Sequence, residues 1–229
     1  MKAFILAAGL GKRMRPLTDE LPKPLLQVAG QSLIAHQVRR LVAAGIDELV
    51  INHCYLGEKI EQHLGDGSRY GASIRYSRET RRLETAGGII KALPLLEDSS
   101  FIVVNADIWT DYPFERLQPL ADNSDLAHLV LVPNSQHHPR GDFHLQSGGR
   151  VHQESGSDDP RLTFSGISVM HRELFAGHPA EPLALLPLLQ DAMTRGRVSG
   201  ECYEGRWIDV GTPERLQQLN DIESRRTVE

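Results

Sequence analysis

Between Ala8 and Lys23 the chain reads AGLGKRMRPLTDELPK, and the types and spacing of these residues suit the handling of a polyanion. Lys12, Arg13, Arg15 and Lys23 place four cations within twelve positions. Gly9 and Gly11 leave no Cβ to keep a ligand from the backbone. Such a loop suits a polyphosphate. Two familiar phosphate loops are excluded. A dinucleotide fingerprint needs a third glycine where Met14 stands, and a P-loop needs Gly-Lys-Ser/Thr where the chain has Gly11, Lys12 and Arg13. An ordinary glycine turn with solvated cations is the alternative. Asp107 follows the apolar run Phe101 to Val104. A carboxylate at the end of a buried strand offers hard oxygen to Mg²⁺ carrying substrate phosphates, unless it merely caps a turn. Leu83 to Gly88 (LETAGG) leaves room for a flat ring beside exposed amides, or is a plain loop feeding a helix at Ile89 to Leu93.

These residues need a scaffold that gathers them. Ala3 to Ala7, Glu48 to Asn52, Ser73 to Ser77, Phe101 to Val104 and Ala127 to Val132 are strand-length apolar or alternating runs. Between them, 31–44 and 56–64 carry helical stripes, the first closed by Gly45. Alternation at this spacing predicts βαβ units and a mainly parallel sheet with helices on both faces, whose ligands sit beyond the carboxyl ends of the strands. Further strands are expected at 163–170, 198–203 and 206–210, and helices at 183–195, with Pro187 in its true first turn, and 213–225. Asp111 reads as a helix cap before Pro113.

With 229 residues the chain is long enough for one large domain and a sizeable core. A net charge of -5 argues against a nucleic-acid or anionic-membrane partner. No apolar stretch approaches a membrane span and no signal-peptide pattern follows Met1, so a cytoplasmic protein is expected. Cys54 and Cys202 form no CxxC, and His137 and His138 lack metal-ligand spacing and read as loop residues.

GLGKRMRPLT followed by PKPLLQVAGQSLI resembles the signature of the sugar-1-phosphate nucleotidyltransferases. The resemblance implies a single domain of Rossmann-like α/β fold. Its nucleotide-binding part would span about 1–110, its sugar-binding part about 111–210 and its last helix 213–225. It also implies site roles. Gly9, Leu10, Gly11 and Lys12 would wrap the triphosphate, Arg13 would meet its phosphates, and Lys23 would neutralise the reacting phosphates. Thr85, Gly87 and Gly88 would contact the base, with Gly88 at closest approach. Asn105, Gly141, Asp142, Glu154, Ser165 and Gly166 would form the sugar-phosphate half. Asp107 and Asp209, the latter in WIDVGTP, would share Mg²⁺. Ser155 stands where many relatives have a lysine for the sugar phosphate, so that contact must come from elsewhere. The attacking phosphate is already ionised at pH 7, and no general base is required.

LETAGGI, NADIWTDY, HHPRGDF, TFSGISV and WIDVGT most resemble the branch of the family that uses UTP and N-acetylmuramic acid 1-phosphate. The lactyl carboxylate of that sugar calls for an extra donor, for which Arg140, His138 and Arg206 are candidates by neighbourhood. Three alternatives stand beside this branch: a guanylyl- or thymidylyltransferase for another hexose 1-phosphate, a cytidylyltransferase for a small phospho-alcohol, and a non-catalytic nucleotide-sugar-binding regulator. A monomer or weak homo-oligomer is expected.

Overall fold

The computed structural model describes residues 1–121, 124–153 and 159–226. In chain order the elements are β1 (Ala3–Leu6), the hairpin β2 (Gln27–Val28) and β3 (Gln31–Ser32), α1 (Leu33–Ala43), β4 (Glu48–His53), α2 (Gly57–Leu64), β5 (Ser73–Arg78), α3 (Glu84–Leu96), β6 (Ser100–Asn105) and β7 (Ile108–Thr110). Then follow β8 (Ala127–Val132), β9 (Phe143–Leu145), β10 (Val151–His152), β11 (Arg161–His171), α4 (Leu186–Thr194), β12 (Val198–Cys202), β13 (Trp207–Asp209) and α5 (Pro213–Arg226). The main sheet runs β10-β9-β11-β6-β1-β4-β5, with β8 branching from β11 and β12 pairing with β8. Strands β6, β1, β4 and β5 are parallel, while β11 enters antiparallel to β6, β8 and β9. The sheet is mixed and mainly parallel at its centre, as the βαβ spacing predicts.

Alternation along the central strands divides the core. Ala3, Ile5, Leu49, Ile51, Ile102 and Val104 face one cluster, which takes Ile34, Val38 and Leu41 from α1 and Ile60 and Leu64 from α2. Phe4, Val50, Phe101 and Val103 face the opposite cluster, filled by Ala86, Ile89 and Ala92 of α3 and Leu188, Leu189 and Ala192 of α4. Successive strand side chains point to opposite faces, so two-sided burial requires these unbroken apolar runs. A third cluster joins Met14, Leu26, Val28, Leu33, Trp109, Val210 and Leu219. Met14, at the position that excludes a dinucleotide loop, is a buried peg holding the glycine loop down. No described helix is long and apolar enough to cross a membrane.

Several local expectations are corrected. Helix α1 starts at Leu33, because Gln27–Ser32 pair as a hairpin and Ser32 caps the helix, its hydroxyl accepting from Ala35 N. LETAGG is not a loop before a helix: Glu84 to Gly88 are the first turns of α3. No side chain caps them. Instead Leu183 O accepts from Ala86 N and Gly87 N, so these amides are not available to a base. Asp111 does not cap a helix. It accepts from Tyr203 Oη, Arg206 N and Arg206 Nε and so bridges to the segment before β13. Pro187 does lie in the first turn of α4.

Candidate active site

At the carboxyl ends of β1 and β6 three cavities meet around Asn105, which lines all of them. The first, about 220 Å³, lies between Ala7–Gly9, Lys23, Asn52, Thr85 and Asp107. Its floor is a polar chain: Ala7 N donates to Asn52 Oδ1, Asn52 Nδ2 donates to Glu79, and Leu83 N donates to the other Glu79 oxygen. The second, about 520 Å³, is walled by Phe143, Phe164, Met170 and the α4 leucines. The third, about 490 Å³, holds Arg13, Asp107, His137, His138, Asp209 and Arg215. The loop from Gly9 to Met14 edges a further hollow with Lys23, Arg82 and Asp107. Gly11 is left-handed (φ 61°), and an added Cβ would lie 3.0 Å from Thr18 Cγ2 and 3.2 Å from Lys23 Cβ. Thr18 donates to Gly11 O and pins the turn.

The acidic pair is positioned by a short ladder. Strands β7 and β13 pair antiparallel, with Asp209 opposite Ile108 and Val210 N donating to Asp107 O at 3.0 Å. Trp207 Nε1 donates to Ser165 O and ties this ladder to β11. Each carboxylate holds one organic cation: Lys23 Nζ is 2.5 Å from Asp107 Oδ2, and Arg215 Nη1 is 2.7 Å from Asp209 Oδ2. The Lys23 side chain is 10% exposed, so removing its partner strands a charge in a poorly solvated place. His137 contacts Arg215 through Nε2, and burial, then the adjacent guanidinium, holds its pKa below the ordinary histidine value. Among the described residues no three His, Cys, Asp or Glu side chains gather to cage a metal. Two hard carboxylates lining one cavity, each already drawing a cation, fit Mg²⁺ that arrives with substrate phosphates and keeps several waters.

A glycine-rich cationic loop, two carboxylates lining one cavity and a cleft beyond parallel strands agree with a further finding. Residues 2–153 match the Nucleotidyl transferase family. The chain belongs to that family. This nucleotidyltransferase is 50% identical over 227 residues to the N-acetylmuramate alpha-1-phosphate uridylyltransferase of Neisseria meningitidis, covering 97% of this chain and 98% of that protein. It is 36% identical to the protein of the same name from Caulobacter vibrioides, over 93% and 92% of the two chains. Its fold is that of HddC from Yersinia pseudotuberculosis, with a TM-score of 0.79 at 21% identity over 97% and 99% of the chains.

In the nucleotidyltransferase cleft Gly9, Leu10, Gly11, Lys12, Arg13, Lys23, Thr85, Asn105, Asp107, Asp142, Ser165, Gly166 and Asp209 all line one or more cavities. Others stand differently. Gly87 and Gly88 are buried in α3, and what approaches them is protein: an added Cβ would meet Glu181 O at 2.0 Å and Asn52 Nδ2 and Glu79 Oε1 at 2.8 Å, respectively. The hydroxyl of Ser165 is engaged by its own fold, donating to Val130 O and accepting from Ile167 N at a register shift in β11. Gly166 (φ 80°) completes that bulge under the Asn105 side chain. Asp142 accepts from Phe164 N and pairs with His138, while Gly141 N donates to His138 O. Glu154 and Ser155 lie outside the described residues. Of the three lactyl candidates, only His138 is among the residues that line the third cavity. Arg206 instead packs 4.7 Å from the Trp109 ring and pairs with Asp111 and Glu223.

Sequence reasoning passed over Arg82, at the first two cavities and the loop hollow, and Arg215, at the third. A usable signal existed for Arg82, which follows the carboxyl end of β5, where ligands of such sheets sit. Arg215 carries no such mark beyond its place six residues after Asp209.

Proposed function

We propose that the protein transfers a uridylyl group from UTP to N-acetylmuramic acid 1-phosphate, forming UDP-N-acetylmuramic acid and pyrophosphate with Mg²⁺ as cofactor. The observation that carries the substrate pair is the 50% identity, end to end, with the Neisseria protein of that name. The geometry supports the reaction class. A phosphate oxygen of the acceptor forms a bond to the α-phosphorus of UTP, and the bond from that phosphorus to the bridging oxygen breaks, releasing pyrophosphate.

Two polyanions must meet for this to occur. At about 4 Å each pair of unit charges repels by about 4 kcal/mol at an effective dielectric of about 20. Arg13, Lys12 and Lys23 offset that repulsion from the loop side of the cleft. Asp107 and Asp209 would hold the metal ion, which when bound adds positive charge at the reacting phosphates. The protein's remaining work is alignment and prepaid electrostatics. No Ser/His/Asp set is needed, because the attacking oxygen carries its charge before it binds.

Purified protein with Mg²⁺, UTP and N-acetylmuramic acid 1-phosphate should release pyrophosphate, and glucose 1-phosphate and N-acetylglucosamine 1-phosphate should compete poorly. Equal use of all three acceptors would remove the muramic acid assignment and leave the reaction class. No turnover with any triphosphate and acceptor pair would remove both.

A further inference from the structure

The acceptor is itself an anion, and the third cavity contains a cation with unfilled donors. Arg215 lies in the first turn of α5 and its side chain is only 14% exposed. Among the described residues its side-chain hydrogen bonds all run through one nitrogen: Nη1 meets Asp209 Oδ2 at 2.7 Å, Asp209 O at 2.9 Å and His137 Nε2 at 2.8 Å. Among the described residues no acceptor engages Nη2 or Nε. Gly211 leaves room for the guanidinium, since a Cβ there would lie 2.5 Å from Nη2. Anchored through Nη1, this planar group keeps donors whose fork geometry matches a phosphate or carboxylate. Arg13 and Asp107 line the same cavity.

We propose that Arg215 binds the phosphate of the acceptor sugar 1-phosphate through Nη2 and Nε, while Nη1 keeps the Asp209 carboxylate aligned. The position follows from charge. An acceptor phosphate brought toward two carboxylates needs a cation that does not leave with the pyrophosphate. Lys12 and Arg13 sit on the triphosphate loop, whereas Arg215 is tied to the end of β13 through Asp209 and belongs to α5. This inference rests on the nucleotidyl-transfer reading and adds to it a residue that selects the acceptor.

The test is calorimetric binding without added metal, using N-acetylmuramic acid 1-phosphate, glucose 1-phosphate as a competing ligand, and UTP. These are measured on the wild type, Arg215→Gln and Arg215→Lys, with unfolding midpoints taken alongside. Losing a charged hydrogen-bonding fork should weaken both sugar phosphates about ten- to a hundredfold in Arg215→Gln and less in Arg215→Lys, with UTP affinity changed less than about twofold. Unchanged sugar phosphate binding, or an equal loss for UTP, overturns the proposal. A loss confined to the muramic acid ligand also overturns it, because it would assign Arg215 to the lactyl carboxylate. Should Arg215→Gln not fold, Arg215→Lys carries the same comparison. A wild type that binds neither UTP nor any sugar phosphate would instead defeat the parent reading.

Discussion

At the residue scale, the cleft contains two ion pairs, Lys23 with Asp107 and Arg215 with Asp209. Each carboxylate is matched to a cation, so neither stands uncompensated in the cleft. Asp107→Asn and Lys23→Ala should therefore each cut pyrophosphate release by about a hundredfold or more, the usual cost of losing one preorganised electrostatic group, with circular dichroism unchanged. Near-normal turnover in either variant would show that the pair is structural. The place of Asp107 beyond a central strand was legible because it follows the unbroken apolar run Phe101 to Val104, which has strand length. Arg215 and Arg82 were not. An arginine in a cleft and a solvated one look alike until the backbone is folded around them.

At the element scale, α3 and the β7–β13 ladder do the positioning. The start of α3 was misread because its first amides are satisfied by Leu183, a carbonyl far along the chain that no local pattern announces. The paired glycines read as ligand space, yet they make room for Glu181, Asn52 and Glu79. Gly87→Ala puts a carbon 2.0 Å from a backbone oxygen and should destabilise the protein by about 1–3 kcal/mol in urea unfolding, the cost of an overpacked interior. Asp111 anchors the ladder. Burial raises its pKa, but hydrogen bonds from Tyr203 and Arg206 outweigh that and hold it below the ordinary carboxylate value. A carboxyl depressed on folding adds stability above its unfolded pKa of about 3.9 and loses it as pH falls through the folded value. Asp111→Asn should thus be less stable than wild type at pH 7 and converge with it on acidification below about pH 4. Equal differences at pH 7 and pH 3 would exclude this account.

At the scale of the whole molecule, the division of the core between two faces could be read directly from the strands. What escaped was the third cluster, because its members are scattered singly from Met14 to Leu219. Met14→Ala removes a side chain with no exposed surface, and should cost about 2–5 kcal/mol in chemical denaturation and weaken UTP binding, since the loop loses its peg. A variant that is destabilised but binds UTP as tightly as wild type would separate the peg from the loop.

That same cluster has a bearing on truncation. Leu219 and Val210 are its C-terminal members, and Asn220 of α5 also holds the β2–β3 hairpin through Ala29 N and Gln27 O. Without α5 the cluster under the cationic loop lacks Leu219 and the hairpin lacks both bonds to Asn220, so the loop's support is complete only when that helix is in place. A chain cut before Pro213 should therefore hold its amino-terminal loop less firmly than one that carries α5.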